Sequence, residues 1–205
     1  MVALTPADHD ALRAAIAKAE QGTSAELVLA VNGASSEYEV YRLAGAVLAA
    51  ACAAGAIALD WPMMHVRVAF IIVVAVAFAV YVLLQIDALL LMLVPEKVRR
   101  QACEAASRAY FMDSVMGRTQ AGNGLLIFVS LAERYVAVLP DTGIARVISQ
   151  PAWAQVIHKV VQAVQGGTVR AGLLTAVEDC LSLLAEKFPP GAQNPNEIAD
   201  DVVGR

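Results

Sequence analysis

The stretch Val68-Ala69-Phe70-Ile71-Ile72-Val73-Val74-Ala75-Val76-Ala77-Phe78-Ala79-Val80-Tyr81-Val82-Leu83-Leu84 contains no charged residue, and Tyr81 carries its one polar group. A helix over it is apolar all round, so it needs either a deep protein core or lipid. A second uncharged run, Leu43 to Leu59, precedes it, and nine of its seventeen residues are Ala. At 1.5 Å per residue each run reaches about 25 Å, close to a hydrocarbon core of about 30 Å. A chain of 205 residues has no soluble core large enough to hide two such helices. The reading is a transmembrane helical hairpin over 38–94, with helices at about 43–59 and 68–84. The connecting residues Asp60 to Arg67 include Trp61, Pro62 and His65, suited to a turn at an interface.

Composition agrees. Hydrophobic residues make up 59% of the chain and charged residues 17%, against about 45–50% and about 25% in ordinary globular domains. From Leu43 to Val94 only Asp60, Arg67 and Asp87 are charged. After Leu84, Gln85 and Asp87 interrupt the pattern, yet Ala88 to Val94 is apolar again. Either the second helix continues to Val94, with Asp87 inside the membrane as a functional group, or Asp87 lies among the headgroups. In the first helix, Gly45, Ala49 and Ala53, and also Ala51 and Gly55, repeat at four-residue spacing. Such a face suits close packing on the second helix or on a second copy; general Ala richness gives the same pattern. Arg13, Lys18 and Arg42 precede the hairpin and Lys97, Arg99, Arg100 and Arg108 follow it, while the loop holds only Arg67. Positive-inside bias places both termini and the soluble part in the cytoplasm. No secretory signal opens the chain. Cys52, Cys103 and Cys180 have no metal or redox spacing and are expected to be reduced.

Outward from the hairpin, residues 1–37 and 95–190 read as one discontinuous α/β domain, with 191–205 as a polar tail. A helix with Leu12 and Ile16 inward leads to a strand from Glu26. After the membrane, a helix from about Glu96 to Met116 turns Val98, Ala102, Ala105, Ala109 and Tyr110 inward. Gly124-Leu-Leu-Ile-Phe-Val-Ser130 is a continuous apolar run, the pattern of a central strand. Tyr135 to Leu139 follows at hairpin distance. Two more helices carry Trp153, Val160 and Val164, then Leu174, Val177, Leu181 and Leu184. A strand on each side of the hairpin implies that the hairpin is inserted into one sheet-bearing domain.

The segments Ala19-Glu-Gln-Gly-Thr-Ser-Ala-Glu-Leu-Val-Leu29, Gly124-Leu-Leu-Ile-Phe-Val-Ser-Leu-Ala-Glu-Arg-Tyr-Val136, Asp141-Thr-Gly-Ile144, the Trp153 helix, Phe188-Pro-Pro-Gly191 and Asn196-Glu197 together resemble the TPM domain family, and within it the bacterial membrane branch. The resemblance implies a sandwich of a small mixed sheet flanked by helices, here interrupted by the hairpin. It also implies a link to acid phosphatase activity, to binding of Ca²⁺ or another divalent ion, or to maintenance of membrane complexes. The matching acidic positions are Glu26, Glu133 and Asp141. The sequence departs from the pattern at Ala25, where Gly is usual, and at Gly122-Asn123, where the membrane branch often carries a basic residue and Thr. The second departure removes a cation from beside a presumed phosphate site.

Glu26, Glu133 and Asp141 could hold Ca²⁺ or Mg²⁺ through oxygen, with Asn123 as a fourth ligand, and such an ion could activate water. The plainer alternative is that Glu133 lies in a solvated turn and that Asp141 is a turn or cap residue. His9, His65 and His158 lack ligand spacing. No P-loop or nucleophile-elbow motif is present. A net charge of −4 without a basic stripe argues against nucleic acid. The expected protein is an inner-membrane one. It acts by interaction with the bilayer, other membrane proteins or a second copy, in assembling or maintaining membrane complexes. The competing expectation is a metal-dependent acid phosphatase.

Overall fold

A computed structural model describes residues 5–166, 169–190, 196–198 and 202–203. The chain divides into two units, 1–35 with 100–205, and 36–99.

The first unit is built on a four-stranded sheet in the order β3-β2-β1-β4. Its strands are β1 (Glu26–Asn32), β2 (Gly124–Ser130), β3 (Tyr135–Pro140) and the two-residue β4 (Val202–Val203). β1 runs parallel to β2 with Glu26 opposite Gly124 and Asn32 opposite Ser130. It also runs parallel to β4. β3 returns antiparallel to β2, from Tyr135 opposite Ser130 to Pro140 opposite Leu125. Every residue of β1 and β2 is buried, as the unbroken apolar run Gly124–Ser130 requires of a strand covered on both faces.

Alternate side chains of those strands feed two cores. Leu27, Leu29, Val31, Leu125, Ile127 and Val129 meet α1 (Pro6–Glu20), α7 (Gln150–Gln165) and α8 (Val169–Lys187), with Trp153 fully buried among them. Val28, Ala30, Leu126 and Phe128 face the other way, onto Cys103, Ala106, Tyr110 and Phe111 of α5 (Glu96–Ser114). The sheet is thus mixed and covered by helices on both sides, an α/β sandwich. Thr5 caps α1 through a reciprocal pair with Asp8: the Asp8 N–H donates to Thr5 Oγ1 at 3.3 Å, and the Thr5 N–H donates to the Asp8 carboxylate at 2.9 Å. This bond and the nearby Arg170 hold the Asp8 carboxyl below its ordinary value.

Two expectations shift by small amounts. The inward side of α5 is centred on Cys103 and Ser107, whereas Ala105 and Ala109 are exposed. Ala fits either face of a helix, so an Ala-rich stretch leaves the phase undetermined. The tail is not wholly apart from the domain, since Val202–Val203 joins the sheet as β4 beside β1; 167–168, 191–195, 199–201 and 204–205 lie outside the described residues.

The second unit contains α2 (Glu39–Asp60), α3 (Val66–Leu83) and the short α4 (Asp87–Leu93). Of α2 only Ala46 is buried, and of α3 no residue is. Both helices are long and apolar enough to cross a membrane. α2 and α3 pack on each other, and the row Gly45, Ala49 and Ala53 is partly buried while Ala51 and Gly55 are exposed. The second helix does not continue to Val94. It ends at Leu83, and α4 restarts at Asp87.

Candidate functional site

In open α/β sheets, ligands gather beyond the carboxyl ends of parallel strands. Here β1 and β2 end on Asn32 and Ser130, polar residues that are 5% and 0% exposed. The Tyr110 hydroxyl donates to Asn32 Oδ1 at 3.0 Å. The turn after β2 is stitched to the exit of β1: the Leu131 N–H donates to the Asn32 carbonyl and the Ala132 N–H to the Gly33 carbonyl, both at 2.9 Å. Arg134 closes that turn in the left-handed region, at φ 52°.

Glu133 therefore does not project from a loose turn. The Ser35 N–H donates to its carboxylate at 3.1 and 3.3 Å. The Ser130 hydroxyl donates to the same carboxylate, and Ser35 Oγ donates to Ser130 Oγ at 2.8 Å. The result is a one-way relay of hydroxyls ending on a carboxylate. Charge-assisted bonds of this kind are among the stronger ones, and they clasp the chain leaving β1 to the β2–β3 turn. Ser130 itself is fully buried. Beside the clasp, the phenol of Tyr135 is raised above its ordinary value, first by burial and then by Glu104.

Glu26 and Asp141 lie at the opposite end of the sheet. Glu26 opens β1, is 4% exposed, and its N–H donates to the Asn123 carbonyl at 3.1 Å. Asn123 is fixed by its N–H to Thr119 Oγ1 at 3.1 Å and by its side-chain amide to the Ser24 carbonyl. Asp141 caps α6 (Thr142–Val147), its Oδ1 accepting the Thr142 N–H at 2.6 Å. The Asp141 N–H donates to the Gly124 carbonyl at 2.8 Å, and the Gly143 N–H to the Gly122 carbonyl at 2.8 Å. Gly122, at φ +63°, and Gly143 let these two loops touch. A Cβ on Gly143 would come within 2.5 Å of the Ala121 carbonyl oxygen.

The three acidic positions are thus not brought together. β2 separates Glu133 from the end holding Glu26 and Asp141, a distance of about 20 Å at 3.3 Å per residue. Among the described residues no group of three His, Cys, Asp or Glu side chains could hold a metal ion. A Ca²⁺ or Mg²⁺ ion needs six or more converging oxygens, and the set Glu26, Glu133 and Asp141 does not fit one. Asp141 instead serves as a helix cap. Glu133 anchors a clasp whose other members, Asn32, Ser35, Ser130 and Tyr110, the sequence reading missed. The available signal was a polar residue closing each of two apolar strands.

Comparison with known proteins agrees with this architecture. Residues 88–182 match the model of the TPM domain family, from α4 to most of α8. The NMR structure of the BA42 protein from the psychrophilic bacterium Bizionia argentinensis superposes with a TM-score of 0.62 and 17% identity. That alignment covers 98% of this chain and 95% of the other, a likeness of fold alone. No curated protein matches. The Glu133 turn and the Asp141 cap both lie within the stretch 88–182 that matches the TPM domain family.

Proposed function

We propose that this chain is an inner-membrane protein whose TPM domain acts by interaction, in assembling or maintaining membrane complexes. The observation that carries the reading is the bare apolar surface of α2 and α3, which is stable only against lipid or other membrane helices. At 1.5 Å per residue they reach about 33 and about 27 Å, enough for one crossing each. The basic residues on either side of the hairpin support a cytoplasmic domain and cytoplasmic termini. Neighbouring membrane helices or a second copy are the fitting partners for Ala51 and Gly55, which remain exposed on α2.

Two measurements test the reading. The protein stays in the membrane pellet through an alkaline carbonate wash, and membranes lacking it show an altered set of complexes on native gels. Release by carbonate overturns the anchoring. Turnover of a generic phosphate ester, abolished by Glu133→Ala with Asp141→Ala, overturns the interaction role in favour of a hydrolase.

A further inference from the structure

Between α3 and α4 the helical path breaks without proline or glycine. Leu84 closes α3, and Ile86 is extended at φ −80°, ψ 109° before α4 begins. Arg42, reaching over from α2, holds this break. Its Nε donates to the Leu84 carbonyl at 3.2 Å, one of the carbonyls that a helix end leaves without a partner. Its Nη1 lies 3.3 Å from the Glu39 carboxylate and its Nη2 lies 3.8 Å from that of Asp87. The Tyr81 hydroxyl donates to the other Glu39 oxygen at 2.9 Å. The Arg42 side chain is only 14% exposed, so the cation is satisfied from within the unit and is not offered to a lipid phosphate.

The break gives α4 two sides. Leu84, Leu90 and Val94 are buried, and Leu84 packs where a Cβ on Gly45 would meet its Cδ1 at 2.6 Å. Ile86, Leu89, Met92 and Leu93 are exposed, Met92 by 80%. Lys97, also exposed, follows four residues after Leu93. At about 10 Å, α4 is far too short to span a bilayer. Its apolar side is continuous in sequence with the bare surface of α3 and is bordered by an exposed cation. That combination matches the acyl and phosphate levels of one leaflet.

We propose that α4 is an interfacial helix seated in the leaflet where α2 starts and α3 ends. Ile86, Leu89, Met92 and Leu93 lie among acyl chains, Lys97 lies at phosphate level, and the Arg42 cluster keeps α4 from continuing α3. Asp87 then sits at the interface as the partner of Arg42 rather than alone within the span. This proposal rests on the membrane reading above, and the experiment separates the two.

The full chain carrying Cys52→Ala is reconstituted in vesicles of phosphatidylcholine and phosphatidylglycerol. Single fluorescent labels are placed at Met92→Cys, Val74→Cys or Gln120→Cys, and quenchers are attached at shallow or deep acyl positions. The expected result is shallow quenching at Met92 about twofold stronger than deep quenching, with the reverse at Val74, since the two depths differ by roughly 15 Å. Gln120 stays unquenched. In Arg42→Gln, the shallow preference at Met92 is lost while Val74 is unchanged. Quenching at Val74 with none at Met92 overturns the proposal and leaves the anchoring intact. Protection of Met92 that ignores lipid and rises with protein concentration overturns it in favour of a second copy. Loss of quenching at both positions overturns the membrane reading together with the proposal.

Discussion

Gly143 shows how narrow the tolerance is at single residues. An added methyl would meet two backbone oxygens, those of Ala121 and Gly122, at 2.5 and 2.7 Å, and neither can rotate away as a side chain would. Gly143→Ala is expected to cost about 2 kcal/mol by overpacking, read as a lower denaturation midpoint of the detergent-solubilised protein. Cys180 gives a second test at this scale. Burial pushes its thiol up to about 12, from 9.0, so the folded state prefers the protonated form. A raised value contributes stability that is complete below about pH 9 and is lost as pH climbs towards 12. Cys180 should therefore resist alkylation at pH 8 until the domain unfolds, and Cys180→Ala should soften the alkaline loss of stability between those limits. Rapid labelling of the native protein at Cys180, located by peptide mapping, would contradict this.

Among the elements, the Glu133 turn is the one whose role changes most between sequence and structure. Glu133→Ala leaves the Ser35 N–H and the buried Ser130 hydroxyl without their acceptor, at an expected cost of about 1–3 kcal/mol. Phe128→Ala, beneath Tyr110 and Tyr135, should cost about 3–5 kcal/mol. Chemical denaturation of both variants checks the order. The strands were legible because an unbroken apolar run such as Gly124–Ser130 has one stable home, a strand covered on both faces. A cap is legible in the same way: Thr5-Pro6-Ala7-Asp8 is the pattern of an N-cap and first helical turn. The inward phase of α5 was not, since Ala105 and Ala106 differ in no property that a pattern can read. Nor was the placement of the acids. Glu133 and Asp141 are close in sequence, but an antiparallel return sends its turn and its far end to opposite ends of the strands. The break before α4 was hidden for a related reason: it is held by Arg42, far away along the chain, and by no local helix breaker.

For the molecule as a whole, the two-span reading makes a directional prediction. Cysteine placed at Met63, which is 95% exposed in the connection between α2 and α3, should react with a membrane-impermeant maleimide in spheroplasts. Cysteine at Gln120 should react only after lysis. Equal labelling of both sites in intact spheroplasts would contradict the assigned topology. The parallel pairing of β1 with β2 has a consequence for synthesis. Glu26 cannot find Gly124 until the ribosome has made everything between them, including both apolar helices. On the two-span reading both helices leave the ribosome before the sheet can close, and β1 waits as a bare apolar strand in the meantime. On the same reading, a chain whose hairpin is not inserted would carry two bare apolar helices into water, material for proteolysis or aggregation.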